Sequence, residues 1–254
     1  MLIDSHAHLQ WRSFDQDREE VINLAKEANV KYIVNIGYDL EGSKKAVELA
    51  ERHEGLYATV GIHPHNASAL NEKVLDNLRR LSENPMVVAI GEIGLDYYRN
   101  LSPKTVQQKA FEAQMILAQE LELPVVIHDR DAHADVANTL SKFKGKLKGV
   151  MHCFSGNLEM AEQCAKMNYY ISFAGPVTFP NAHMLHETAK SIDLNSILLE
   201  TDCPWLAPQE MRGKRNEPAF LPFTAEKIAN LRGISLEELA EATTRNTKRI
   251  FHIS

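Results

Sequence analysis

Eight short apolar runs, each followed by an amphipathic stretch, recur from one end of the chain to the other. No other feature narrows the fold as sharply. The runs are residues 2–6, 32–36, 57–62, 87–90 (closing on Gly91-Glu92), 125–128, 149–152, 169–172 and 197–202. They are rich in Val and Ile and lack strict alternation, the pattern of strands buried on both faces of a parallel sheet. The 3.6-residue period between them predicts helices over 17–28, 43–52, 71–81, 102–121, 132–143, 158–167, 181–191, 224–232 and 235–251. Ser102 is the expected N-cap of the fourth helix, with Pro103 at its first position. Ser235-Leu236-Glu237-Glu238 has capping-box spacing. Eight strands, each backed by a helix, predict an α/β fold, a (β/α)8 TIM barrel forming a single domain over residues 1–254. A doubly wound open sheet is the alternative. It leaves unexplained why ligand-type side chains end so many runs, whereas a barrel gathers all its C-terminal strand ends on one rim.

His6 and His8 lie two apart, so in a strand they share a face, roughly 6.6 Å apart along it. Two imidazoles placed so can converge on one cation. Asp4 shares their face and is positioned to orient one ring through its other nitrogen. Glu92 sits in Gly91-Glu92-Ile93-Gly94, where the glycines let backbone or ligand approach and the carboxylate can bridge two cations. His128 and His152 end consecutive runs, which places them side by side on the rim. Asp202 ends the last run, with Glu200 on its face; two carboxylates in an apolar strand are costly to bury unless paired or metal-bound. The expectation is that His6, His8, Glu92, His128, His152 and Asp202 meet around one or two divalent metals. For Glu200 and Asp202 the structural alternative is an ion pair with Arg130 or another rim cation. His63, in Gly61-Ile62-His63-Pro64-His65, is expected to touch substrate or protonate a leaving group. Asp96 is assigned to loop backbone or an arginine.

A formal net charge of -6 argues against holding nucleic acid by a broad basic surface. It permits an enzyme that meets a phosphate chain with metals and a few local cations: Arg130, Arg212, Lys214 and Arg215. Tyr97, Tyr98 and Trp205 stand beside rim motifs, where stacking on a base is sequence-tolerant. The long irregular stretch 204–222 reads as an active-site loop. The three cysteines, Cys153, Cys164 and Cys203, form no C-x-x-C pair, so no disulfide framework or structural zinc module is expected; unpaired thiols suit a reducing cytoplasm. The start Met1-Leu2-Ile3-Asp4 has no signal-peptide character, and no run approaches the ~20 apolar residues of a membrane span. A cytoplasmic monomer without membrane contact is the expectation.

Taken in order, Asp4-Ser5-His6-Ala7-His8, Gly61-Ile62-His63-Pro64-His65, Gly91-Glu92-Ile93-Gly94-Leu95-Asp96-Tyr97, His128-Asp129-Arg130, His152-Cys153-Phe154-Ser155-Gly156 and Glu200-Thr201-Asp202-Cys203-Pro204 resemble the TatD family of metal-dependent deoxyribonucleases, amidohydrolase-like TIM barrels of the metallo-dependent hydrolase type. The resemblance runs from Asp4 into the helix ending near Phe251, and Arg212-Gly213-Lys214-Arg215-Asn216-Glu217-Pro218 is similar to the family's late loop. It implies a two-metal site: His6, His8, Glu92 and Asp202 on one ion, and Glu92, His128 and His152 on the other. Glu92 takes the bridging position that a carboxylated lysine holds in many members of the wider superfamily. The resemblance implies Mg²⁺ for nuclease activity, with Mn²⁺ as an alternative; Zn²⁺ and Ni²⁺ also suit the histidines. It implies DNA, single-stranded or at 3′ ends, as substrate of a 3′→5′ exonuclease. In the expected mechanism Asp202 orients the attacking water and takes its proton, Glu92 bridges the metals, and Glu200 supports the ligands or meets substrate. His63, Arg130, Arg212 and Arg215 bind the phosphate chain. The resemblance also permits ester or amide hydrolysis, D-aminoacyl-tRNA deacylation included, and a metal-stabilised binding protein without turnover is the remaining reading.

Overall fold

Each apolar run becomes a strand, and all eight strands are parallel. The computed structural model describes residues 1–253. In chain order the elements are β1 (Leu2–Ala7), α1 (Arg18–Glu27), β2 (Val30–Ile36), α2 (Leu40–Arg52), β3 (Leu56–Val60), α3 (Glu72–Leu81), β4 (Val87–Asp96), α4 (Lys104–Glu120), β5 (Val125–Arg130), α5 (His133–Lys142), β6 (Gly149–Met151), α6 (Leu158–Lys166), β7 (Tyr169–Phe173), α7 (His183–Ser191), β8 (Ile197–Leu199), α8 (Leu221–Arg232) and α9 (Leu236–Phe251). The sheet runs β1 to β8 in sequence order. It rolls into a nearly closed barrel, not the open doubly wound sheet.

The seam between β8 and β1 is closed by the chain just beyond β8. Asp202 N–H donates to the His6 carbonyl (2.9 Å) and His8 N–H to the Cys203 carbonyl (2.9 Å). Asp4, wholly buried, accepts from Thr201 N–H (2.9 Å) and Thr201 Oγ1 (2.5 Å). The segments that close the barrel are thus the ones that carry His6, His8 and Asp202.

Strand residues divide between two cores. One face packs under the helices. The other fills the lumen: Val34, Ile36, Val88, Val126, Val150 and Leu198 meet Ile250, Phe251 and Ile253 at the end of α9. Phe251 is 2% exposed, so its burial is worth about 1.5–3 kcal/mol. Helix ends follow the capping chemistry where the side chain reaches: Ser235 Oγ accepts from Glu238 N–H (3.0 Å). Ser102 does not cap α4. Its hydroxyl donates to the His65 carbonyl (3.0 Å) and accepts from Ser68 N–H (3.2 Å), while Pro103 stands at the N-cap without a side-chain bond.

Two strand ends differ from the periodicity. The last run was expected to stay extended to Asp202, but β8 stops at Leu199 and Asp202 turns into the left-handed region (φ 56°). The fourth was expected to end at residue 90, but β4 continues to Asp96. Glycine makes that continuation possible. Gly94, at φ +139°, pairs with His128, and a Cβ there would lie 2.0 Å from the His128 carbonyl oxygen. Gly94→Ala therefore meets both backbone strain and a main-chain clash, and should lose roughly 3 kcal/mol or more, lowering the thermal midpoint by about 6–12 °C. Gly145, also at positive φ (+76°) but with nothing within 4 Å of its built Cβ, is the control; equal losses at the two positions in thermal unfolding would contradict the packing argument.

Candidate metal centre

The barrel mouth is built from strand ends and the turns after them. His6 lies on β1 and His8 one residue beyond it; Glu92 lies within β4, His128 within β5, and His152 just past β6. All five are drawn inward with Asp202. His6 Nε2 and His8 Nε2 stand 3.1 Å apart. Each lies 3.6 Å from Asp202 Oδ1, and they lie 3.6 and 3.7 Å from Glu92 Oε2. Donors bound at about 2.0–2.2 Å in a tetrahedron sit about 3.3–3.6 Å apart, so these edges match the shell of one small cation. The other Glu92 oxygen, Oε1, faces a second cluster: His128 Nδ1 at 2.8 Å, His152 Nε2 at 2.9 Å and His63 Nε2 at 3.5 Å. His128 Nδ1 and His152 Nε2 are 3.2 Å apart. Nitrogen and carboxylate donors, buried and without a thiolate among them, fit divalent cations.

Burial alone would push Glu92 up; the surrounding His152, His63 and His128 outweigh it and hold the carboxyl well below its usual range. Burial opposes a charge on His152, but Glu92 and Glu200 raise it well above an ordinary imidazole. His128 is raised too: burial opposes this, and its bonds to Asp96 and Glu92 prevail. His6 goes the other way, lowered by burial and then by His152. Asp202 is lowered: burial raises it, but His8, His6 and His152 more than compensate. His63 is pushed by burial down to about 4, so at neutral pH its ring is neutral. His65 N–H donates to His63 Nδ1 (3.1 Å), which leaves the proton on Nε2, facing Glu92. In that tautomer the ring is a hydrogen-bond donor at Nε2.

Behind the ligand-type side chains stands a ring of acceptors. His8 Nδ1 donates to the Ile36 carbonyl (3.0 Å). Glu200, fully buried, accepts from Cys153 N–H (2.6 Å) and faces His152 Nδ1 (3.3 Å). Asp96 Oδ2 faces His65 Nε2 (2.8 Å) and His128 Nε2 (3.3 Å), while Oδ1 accepts from Arg99 N–H (2.7 Å). Its carboxyl is held far below the usual range, burial being overcome first by His128. Two sequence expectations are corrected here. Asp4 orients no imidazole: its oxygens accept from Thr201 and from the His6 backbone N–H (3.2 Å). Asp96 is not confined to loop backbone. The signal for it lay in the strand period: once β4 is carried through Gly94, Glu92 and Asp96 fall on one face.

The cations separate. Arg130 is exposed and stacks over the exposed Tyr98 ring at 4.2 Å. Arg212 lies over Phe179 at 5.5 Å, and Lys214 is exposed. Arg215 is engaged elsewhere: it pairs with both Asp17 oxygens (2.9 and 2.6 Å) and donates to the Ser13 carbonyl (2.5 Å), pinning the late loop to the start of α1. Tyr97 is likewise committed, its hydroxyl donating to Asp135 (2.7 Å). Trp205 stands against His8, ring centroids 5.2 Å apart. All three thiols are unpaired; Cys164 and Cys203 are buried and Cys153 half-buried. Among the described residues no helix is long and apolar enough to cross a membrane.

Comparison with known proteins gives the family. The profile of a family described as TatD related DNase matches residues 3–252. The chain is 46% identical over 255 residues to an uncharacterized metal-dependent hydrolase, YabD, of Bacillus subtilis strain 168, covering 100% of both. It is 40% identical over 260 residues to a protein of Pantoea vagans named 3′-5′ ssDNA/RNA exonuclease TatD, again covering 100% of both. Among solved structures it resembles YJJV, a TatD homologue from Escherichia coli K12, with a TM-score of 0.95 and 31% identity over 100% of this chain and 98% of that one.

If Glu200 and Asp96 set the rings of His152 and His128, their amide variants should weaken divalent-cation binding with little change in fold. Glu200→Gln and Asp96→Asn are each expected to lower Mn²⁺ or Zn²⁺ affinity about 10–100-fold in calorimetric titration. Affinities equal to wild type in both variants would show that these carboxylates do not hold the ligands.

Proposed function

Since the chain belongs to the family of TatD-related DNases, we propose that it is a metal-dependent phosphodiesterase that removes nucleotides from the 3′ ends of single-stranded DNA. The observation that carries this reading is Glu92: one buried carboxylate whose two oxygens face two separate donor clusters. His6, His8, Glu92 and Asp202 would hold one cation, and Glu92, His128 and His152 would hold a second. When bound, the pair supplies Lewis-acid activation of water and neutralises the phosphate, with Mg²⁺ or Mn²⁺ as working ions and Zn²⁺ or Ni²⁺ also suited to the imidazoles.

The side chains divide the remaining work. Asp202 is the carboxylate that solvent reaches, with its side chain 13% exposed against 4% for Glu92 and 0% for Glu200. It orients the attacking water and accepts its proton. Glu200 is shut away behind His152, so its part is to hold that ring, not to meet substrate. His63 presents Nε2–H to a phosphate oxygen. Arg130, on its Tyr98 platform at the rim, neutralises a neighbouring phosphate, and Arg212 is the further cation of the late loop.

The test is 5′-labelled single-stranded DNA incubated with protein and Mg²⁺ or Mn²⁺. Stepwise shortening from the 3′ end is expected. Asp202→Asn should lower kcat by about 10²–10⁴-fold, and Glu92→Ala should abolish turnover. An intact strand beside a hydrolysed D-aminoacyl-tRNA would move the substrate to carboxylic esters. Full activity in Glu92→Ala would remove the bridge from the mechanism.

A further inference from the structure

Next to the metal centre lies a cavity of about 350 Å³ lined by Gln10, Trp11, Arg12, Asp15, Tyr38 and Lys45. Its walls are aromatic. Trp11 lies 5.3 Å from Tyr38 and 5.1 Å from Trp205, ring to ring, and His8 lies 5.9 Å from Tyr38 and 5.2 Å from Trp205. The two tryptophans are carried by the site's own turns: Trp11 N–H donates to the His8 carbonyl (2.9 Å) and Trp205 N–H to the Asp202 carbonyl (3.1 Å). A base stacked on the open face of this cluster would stay in register with the groups around the reacting phosphate.

The charges around the cavity say which base. Asp15 is paired with Arg18 (2.6 Å). Arg12 and Lys45 are exposed and, among the described residues, form no ion pair. A 3′-terminal nucleotide brings only the scissile phosphate, which belongs to the metal centre. Two unpaired cations call for a nucleotide that carries a second phosphate, the one on the 5′ side of the bond that breaks. Gln10, 5% exposed, donates Nε2 to the Ile36 carbonyl (2.6 Å) and keeps Oε1 without a hydrogen-bond partner, an acceptor in the wall of the same cavity.

Building on the exonuclease reading above, we propose that this cavity binds the penultimate nucleotide of the strand, its base stacked on Trp11 and Tyr38 and its 5′-phosphate against Arg12 and Lys45. The cavity would then grip the strand that remains after each cut.

The Mn²⁺-loaded enzyme is assayed on single-stranded DNA with one abasic residue, either penultimate or terminal. In the wild type the penultimate lesion should raise KM about tenfold and the terminal lesion much less. Trp11→Ala should raise KM for intact DNA and abolish the penultimate penalty; Trp11→Phe should keep it. Binding is read separately. The chain has two tryptophans, Trp11 lining this cavity and Trp205 packed against it at 5.1 Å, so thymidine 3′,5′-bisphosphate should quench tryptophan fluorescence and thymidine far less. DNA shortened at equal efficiency with and without the penultimate base overturns the proposal and leaves the exonuclease reading standing. Quenching by the bisphosphate with no cleavage of DNA supports the nucleotide cavity and overturns the exonuclease reading. No quenching, with cleavage intact, overturns the cavity.

Discussion

One buried carboxylate sets the terms for the rest of the molecule. Glu92 is 3% exposed, and an ionised group so placed costs several kcal/mol unless positive charge or hydrogen-bond donors surround it. His6, His8, His63, His128 and His152 do so from four other parts of the chain, each within 3.7 Å. The same crowding of imidazoles would be unfavourable without the carboxylate at its centre. Neither half is stable alone, and divalent cations satisfy both.

That arrangement is inseparable from the way the barrel closes. β1 and the chain after β8 are joined by bonds that His6, His8, Asp202 and Asp4 themselves make. Closing the seam therefore fixes the spacing of three ligand-type atoms, His6 Nε2, His8 Nε2 and Asp202 Oδ1, that come from opposite ends of the sequence. Rigid placement of this kind is what a metal site requires, because errors of about 0.5 Å already spoil it. The aromatic residues three positions after His8 and Asp202 inherit the same fixed frame.

The architecture was largely legible in the sequence, because buried parallel strands leave apolar runs and amphipathic helices leave a 3.6-residue period. The convergence of His6, His8, Glu92, His128, His152 and Asp202 followed from one further rule, that a barrel presents all its strand ends on one rim. What the sequence hid were partners rather than faces. Periodicity places Asp4 beside His6 but cannot say that its oxygens go to Thr201, 197 residues away. Nor does it show that Arg215 is held by Asp17, which ties a loop cation to the start of α1. The extension of β4 was missed for a different reason: Gly91 and Gly94 look like the end of a strand, whereas Gly94 is where β4 presses against His128 too closely for any Cβ. β8 was overextended because Glu200 and Asp202 alternate correctly by type, although the backbone turns at Asp202.

The most direct measurement of the central claim is the electron paramagnetic resonance spectrum of the protein titrated with Mn²⁺. A pair of ions sharing the Glu92 carboxylate, about 3.5–4 Å apart, should appear as a spin-coupled signal that grows in as the second equivalent binds. A spectrum that keeps the six-line pattern of isolated ions at every ratio, with metal demonstrably bound, would contradict the shared carboxylate.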